Sequence, residues 1–307
     1  MTPLHLGDAL TVVPPPRAGA DAGPSFDRTY DVLSFRFGVR SRVPDVGQVL
    51  DRLLAPFPAA DTARRRTTYS FVLSARGRQR FALHRGRECI RRSHSAALLV
   101  EYLLWETNAR AIASEGEHVA VHAAAASRDG RAVLLAAPPD GGKTTTVAGL
   151  VRAGFDYLTD EAALIDLDSL ELHPYPRPLA LERRSAEAVF GTVPARLERW
   201  HGAALHVSPH DLREGSIGRP CRVGAVIFPR YERNGSTRLS PVARPEALQA
   251  LVRNSFNLAA WGSRGFEALA EVTRRAECYT LTIGDLRTAL DAVRSLFDLD
   301  EGPDRPR

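Results

Sequence analysis

The stretch LLAAPPDGGKTTTVAGL, residues 134–150, holds the single lysine among the 41 basic side chains of a 307-residue chain. On a solvated surface lysine and arginine exchange freely. A solitary lysine therefore marks a place where a compact ammonium fits and a planar guanidinium fork does not, such as a ring of phosphate oxygens. Seventeen residues after Lys143 come two adjacent carboxylates, Asp160 and Glu161, and twenty-one before it comes His122, inside the apolar run VAVHAAAA. These side-chain types suit phosphoryl transfer. One carboxylate can hold a metal ion and the other can accept a proton from an attacking hydroxyl, while an imidazole can reach the phosphates or orient a carboxylate.

The segment APPDGGKT, residues 137–144, fits the phosphate-loop pattern G-x-x-x-x-G-K-[ST] except that Ala137 stands in place of the first glycine. Pro138 and Pro139 remove two early N–H groups, which leaves the donors from Asp140, Gly141 and Gly142 through Thr144 and Thr145 to cradle phosphate. Gly141 and Gly142 let the backbone approach phosphate oxygens without a Cβ clash, and the helix start beyond them adds positive potential. Lys143 is expected to contact the β- and γ-phosphates and the Thr144 hydroxyl to bind Mg²⁺. Each feature has a plainer reading as well: a glycine-rich turn capping a helix, two solvated acids in a surface turn, and a histidine satisfied in the core.

Positioning these groups requires a strand before the loop and a helix after it. The runs VAVHAAAA and RAVLLAA, split by the turn SRDG, have the continuous apolar character of buried central strands. A helix is expected over 143–153, stopped by Gly154. Residues 155–159 are expected to form a strand beside the one that feeds the loop, with Asp160 and Glu161 at its end. VGAVIF (223–228) and CYTLTI read as further strands, and 245–260, 264–276 and 285–297 as helices. Upstream, the alternation of Leu33, Phe35, Phe37 and Val39 predicts one half-buried strand over 31–41. TTYSFVLS and RQRFALHR read as two strands joined by a turn at Ala75–Gly77, and 96–113 as an amphipathic helix. The expected organisation is a flexible leader (1–27), a small α+β region (28–117), a mixed α/β phosphate-loop domain (118–298) and a frayed tail (299–307).

Apolar content of 44% and charged content of 25% are those of a globular protein able to bury a full core. No apolar run reaches the ~18 residues of a membrane span, and the N-terminus does not read as a signal peptide. Three scattered cysteines form neither a metal cluster nor a disulfide framework, so a reducing cytoplasm is the expectation. A formal charge of +5 does not call for nucleic acid. Between 61 and 94, ten arginines (64, 65, 66, 76, 78, 80, 85, 87, 91 and 92) face two acids. They make either a solvated face or a dock for an acidic protein or peptide, and no interleaved aromatics suggest base stacking.

The stretch VHAAAASRDGRAVLLAAPPDGGKTTTVAGLVRAGFDYLTDEAALI resembles the catalytic core of the HPr kinase/phosphorylase group, in particular the HPr-kinase-related proteins. The resemblance is strong over 119–182. It is looser over EYLLWETNARAIASEGEHVAVHAA, VGAVIFPRYE and LVRNSFNLAAW. It implies an α/β fold of the HPr kinase/PEP carboxykinase type with a mixed sheet, and ATP and Mg²⁺ as cofactors. By position, His122 matches the family histidine, Lys143 and Thr144 the phosphate-loop pair, Asp160 the general base and Glu161 its metal-binding neighbour. Glu182 matches a further metal-site carboxylate, and Arg253 falls near the phosphates. The family's His-Gly is His-Ala here, and its Asp-Asp is Asp-Glu. The implied activity is a serine-type kinase acting on a peptide or protein, with a biosynthetic precursor peptide among the acceptors and assembly into a homo-oligomer. A small-molecule hydroxyl kinase and a non-catalytic nucleotide-binding module are the alternatives.

Overall fold

The computed structural model describes residues 26–61, 67–73, 80–200 and 202–298. The expected leader (apart from residues 26 and 27), the tail, the turn at Ala75–Gly77 and Arg64, Arg65, Arg66, Arg76 and Arg78 lie outside them. The first five strands form one sheet in the order β1 (Phe26–Val32), β2 (Phe35–Ser41), β3 (Thr67–Leu73), β4 (Phe81–Arg85) and β5 (Glu88–Ser93). The helices α1 (Pro44–Leu54) and α2 (Ala96–Ala113) pack against this sheet, and α2 has the bounds read from sequence. Residues 31–41 are not one strand. The chain reverses at Leu33, which takes φ of 54°, and β1 pairs antiparallel with β2 from Val32↔Phe35 outward. A two-residue turn preserves a period of two, so the apolar alternation runs through the reversal without a mark. Of the arginine-rich stretch, Arg85 is tied to Glu88 and Glu106 at 2.7 and 2.8 Å, and Arg91 lies over the Tyr102 ring.

The second sheet is mixed and contains β6 (His118–Arg128), β7 (Arg131–Ala136), β8 (Asp156–Thr159), β9 (Ala162–Asp166) and β10 (Glu171–His173). It is completed by three strands further along the chain. Between β7 and β8 runs α3 (Lys143–Arg152). After β10 a small hairpin-like pair, β11 (Leu179–Leu181) and β12 (Leu205–Val207), brackets α4 (Arg183–Phe190) and α5 (Ala195–Glu198), and α6 (Pro209–Leu212) follows. The chain then runs through β13 (Cys221–Tyr231), β14 (Arg238–Pro241), α7 (Arg244–Arg253), α8 (Leu258–Arg275), β15 (Glu277–Ile283) and α9 (Leu286–Asp298). The order across the sheet is β10-β9-β6-β7-β13-β15-β14, with β8 also on β6. Strands β7, β13 and β15 are mutually parallel, so they start at one end of the sheet and finish at the other.

Alternation along β7 sorts its side chains onto two faces. Val133 and Leu135 join Val147, Leu150, Val293 and Phe297 beneath α3 and α9, and Leu134 and Ala136 join Leu251, Leu269 and Val272 beneath α7 and α8. A third cluster joins the first sheet to the second, through Ala120, Ala162, Leu164 and Tyr175. There Tyr175 stacks toward Phe57 and its hydroxyl donates to Asn108 Oδ1 at 2.8 Å. No helix among the described residues is long and apolar enough to cross a membrane.

The junction of α7 and α8 is fastened across β6. The His122 N–H donates to the Asn254 carbonyl at 2.7 Å, and the Phe256 N–H donates to the Ala120 carbonyl at 2.8 Å. Asn257 accepts from the Ala120 N–H and donates to the His118 carbonyl, each at 2.9 Å, and Trp261 donates to the same carbonyl at 3.0 Å. Replacing Asn257 by Ala leaves the N–H of the buried Ala120 without its partner, while Trp261 still serves the His118 carbonyl. Urea unfolding of Asn257→Ala is expected to show a loss of about 1–3 kcal/mol, and an unchanged midpoint would show that the clamp is dispensable.

A second stability term sits between the two sheets. His206 in β12 is buried, with both ring nitrogens lacking a hydrogen-bond partner among the described residues, and its Nε2 is 3.9 Å from Glu101 Oε2. Burial, then the nearby charges of Arg177 and Arg52, push its pKa down to about 4. The unfolded chain therefore takes up this proton first. The stabilisation is complete above pH 6.5 and is lost as pH falls from there toward 4, by up to about 3 kcal/mol. The stability of the native chain relative to His206→Phe should fall by this amount between pH 6.5 and 4, and a difference that does not change with pH would show that burial does not hold the imidazole neutral.

Candidate active site

Strand register brings the chemistry together. Ala136, the last residue of β7, pairs with Ala123 of β6, and the neighbouring His122 pairs with Ala162 of β9. The end of the loop strand, the histidine and the start of β9 thus lie level across three adjacent strands. The segment 155–159 is not beside the loop strand, as the sequence suggested. Strand β6 lies between them, and β8 and β9 occupy successive parts of its far edge.

Asp160 and Glu161 are the break between β8 and β9. Thr159 makes the break: its Oγ1 accepts from the Glu161 N–H at 3.2 Å and the Ala162 N–H at 3.3 Å. A side chain that takes over backbone donors in this way competes with the ladder. The Glu161 carbonyl still accepts from the Ala123 N–H at 3.2 Å, so the doublet stays anchored to β6.

The loop runs from Ala137 to Gly142 and delivers Lys143 as the first residue of α3. Ala137 is buried and Pro138, Pro139 and Asp140 are exposed. Asp140 has φ of 63°, and Gly142 caps the helix with φ of 91°, a conformation that costs little only without a side chain. Thr144 and Thr145 are half-buried in the first turn. Lys143 is 7% exposed and folds back on its own loop, donating to the carbonyls of Ala137 at 2.6 Å and Pro138 at 3.1 Å. Burial lowers its pKa, against the opposing pull of Glu161, Asp160 and Asp140. The ammonium and the doublet, distant in sequence, therefore share one electrostatic environment.

A residue the sequence reading did not single out stands at the centre. The largely buried Arg177 guanidinium, 12% exposed, lies 2.9 Å from Glu161 Oε2 and 3.7 Å from Asp160 Oδ1. Burial alone would lower its pKa, but the two carboxylates outweigh it and hold the cation above its ordinary range. Tyr157 adds a hydroxyl 3.2 Å from Asp160 Oδ1 and 3.0 Å from the Arg177 carbonyl. His122 Nδ1 is 3.5 Å from Glu161 Oε1, and its ring meets Phe256 edge-on at 5.5 Å. The environments of the two acids diverge. Burial pushes Asp160 up to about 6 in spite of Arg177, whereas burial of Glu161 is overcome by His122, Arg177 and Lys143, which hold it below its usual value. Paired acids split in this way are suited to separate roles, one as a base near neutrality and one as a permanent anion.

Lys143, Asp160, Glu161 and His122 are thus brought together, with the loop residues Ala137 to Thr145 around the ammonium. Glu182 is exposed at the start of α4 and makes no hydrogen bond or ion pair with Lys143, Asp160 or Glu161. Arg253 is exposed at the end of α7, one residue before the carbonyl that binds the His122 N–H. Arg177 had no compositional signal in a chain so rich in arginine, and it sits in PYPRP, where proline erases periodicity.

No protein-family model matches the chain, and no curated protein shows a significant sequence match. Among solved structures, the HPr(Ser) kinase/phosphatase from Coxiella burnetii is similar at 11% identity, over 60% of this chain and 99% of that one, with a TM-score of 0.30.

The trio makes a specific demand. Arg177→Gln removes the cation from the buried Asp160 and the half-buried Glu161 and is expected to destabilise the chain by about 2–4 kcal/mol. Adding Glu161→Gln to that variant should recover much of the loss in denaturant melts. A double variant no more stable than Arg177→Gln would mean that the charge pairing is not what the site relies on.

Proposed function

We propose that the chain is an ATP-dependent kinase that transfers the γ-phosphoryl group to a serine-type hydroxyl of a peptide or protein, with residues 118–298 as its catalytic unit. The observation that carries this reading is the convergence of Lys143 with an environment-split acid doublet at the level where β7 enters the loop. The same convergence supports placing the chain in an HPr-kinase-like fold.

In this reading the backbone from Asp140 to Thr145 cradles the phosphates, and Lys143 leaves the Ala137 and Pro138 carbonyls for the β- and γ-phosphate oxygens. Asp160 takes the proton of the acceptor hydroxyl as its oxygen attacks the γ-phosphorus. The bond from that phosphorus to the β–γ bridging oxygen breaks, and ADP departs. A pKa near the working pH suits Asp160 to this task. His122 and Arg177 orient Glu161 and hold it ionised. The oxygen donors present, the Thr144 hydroxyl and the Glu161 carboxylate, fit Mg²⁺, which commonly uses one or two protein oxygens beside phosphate oxygens; bound there, it neutralises phosphate charge. Glu182 does not join that set.

Three substitutions test the assignment by nucleotide binding and single-turnover transfer. Lys143→Arg preserves charge but is expected to weaken ATP binding about tenfold or more, because the fork does not fit the loop. Asp160→Asn is expected to keep ATP affinity within about twofold and to lower transfer by about 10²–10⁴; equal turnover would refute the proton-acceptor role. Lys143→Met with undiminished ATP affinity would remove the phosphate loop from the account altogether.

The free-enzyme pKa of Asp160 also sets a pH profile. Transfer needs the carboxylate, so kcat/KM is expected to rise about tenfold per pH unit below about pH 6 and to level off above it. A profile flat from pH 5 to 7 would contradict this.

A further inference from the structure

A cavity of about 460 Å³ lies away from the phosphate loop. It opens where β7, β13 and β15 begin, and the loop leaves β7 where that strand ends. Three guanidinium groups line it, from Arg131 at the start of β7, Arg222 near the start of β13 and Arg275 at the end of α8. Against them the lining supplies one carboxylate, Glu277, and one hydroxyl, Ser169.

The strands are shaped around this cavity. Arg131 and Arg222 are direct register partners in neighbouring strands, and Arg128 is the partner of Arg131 on its other side. Like charges directly opposed across a sheet are destabilising unless something offsets them, and the Arg131 guanidinium lies over the Phe297 ring. Arg128 has Asp298 at 3.0 Å. Arg222 forms no ion pair among the described residues, not even with Glu171, its register partner in β10. Arg275 shares Glu271 with Arg274, so one carboxylate serves two cations. Between the pairs Val223↔Ala132 and Ala225↔Val133 the register shifts, and Gly224 is left without a partner in β7, β10 or β15. That bulge lines the cavity. A Cβ on Gly224 would meet Arg131 Nε at 3.0 Å, so the glycine makes room for the Arg131 side chain.

We infer that this cavity is a second anion site, which takes a small oxyanion of two or more negative charges. Guanidinium forks match phosphate and carboxylate oxygens alike, and cations outnumber acids in the lining. The site does not depend on nucleotide binding at Lys143, which lies at the other end of the sheet.

Calorimetric titration of the full chain carrying Lys143→Met, which silences the phosphate loop, tests the site with two probes. Inorganic pyrophosphate represents phosphate-bearing ligands and citrate represents polycarboxylates. At least one probe is expected to bind with one site per chain. Adding Arg222→Gln and Arg275→Gln, both at exposed positions, should weaken that binding about tenfold or more, and the stronger probe identifies the ligand source. The charge-matched control Arg42→Gln with Arg184→Gln, remote from the cavity, should leave affinity within about twofold. Binding of neither probe, affinity unchanged by the cavity pair, or equal weakening by the control pair would each overturn the proposal. Unchanged pyrophosphate affinity on adding Lys143→Met to the native chain would instead count against the phosphate loop and leave this site standing.

Discussion

The candidate active site depends on one largely buried cation. Asp160 is 5% exposed and Glu161 stands beside it in sequence, so ionising both in that position without a counter-charge would be prohibitively costly. Arg177 supplies the counter-charge from a separate segment of chain. Its own burial is tolerable only because two carboxylates face it. Neither side of this arrangement is stable alone, which ties the segment 175–178 to the break between β8 and β9.

Three layers of structure serve that arrangement. The ladder on β6 sets the level of the acids relative to the loop strand, and Thr159 interrupts the ladder so that the acids leave it there. The α7–α8 junction, clamped to β6 by Asn257 and Trp261, fixes the backbone of His122 from the far side. The first sheet closes over the site through Tyr175, whose hydroxyl reaches Asn108 in α2. The arginine-lined cavity is elsewhere, at the starting ends of the parallel strands. It is not the reaction centre, because its lining holds cations and a single acid and lacks the loop.

Much of this was legible from residue types. The loop, its flanking strand and helix, the acid doublet and the histidine are local patterns, and α2 and α3 follow from periodicity and stop signals. The hairpin at Leu33 was hidden because a two-residue turn leaves alternation intact. The place of β8 was misread because pairing across β6 is a matter of sheet order, which sequence adjacency does not encode. Arg177 was invisible for a related reason: its partners lie sixteen and seventeen residues away across a proline-rich crossover, and one arginine among so many carries no signal.

The central claim is that Lys143 and Asp160 act on one triphosphate. A crystal structure of the chain with a non-hydrolysable ATP analogue and Mg²⁺ tests it most directly. The account predicts that Lys143 Nζ leaves the carbonyls of Ala137 and Pro138 for β- and γ-phosphate oxygens at about 2.7–3.2 Å, with the γ-phosphate facing Asp160. A nucleotide bound elsewhere, with Lys143 still on its own loop carbonyls, would contradict it.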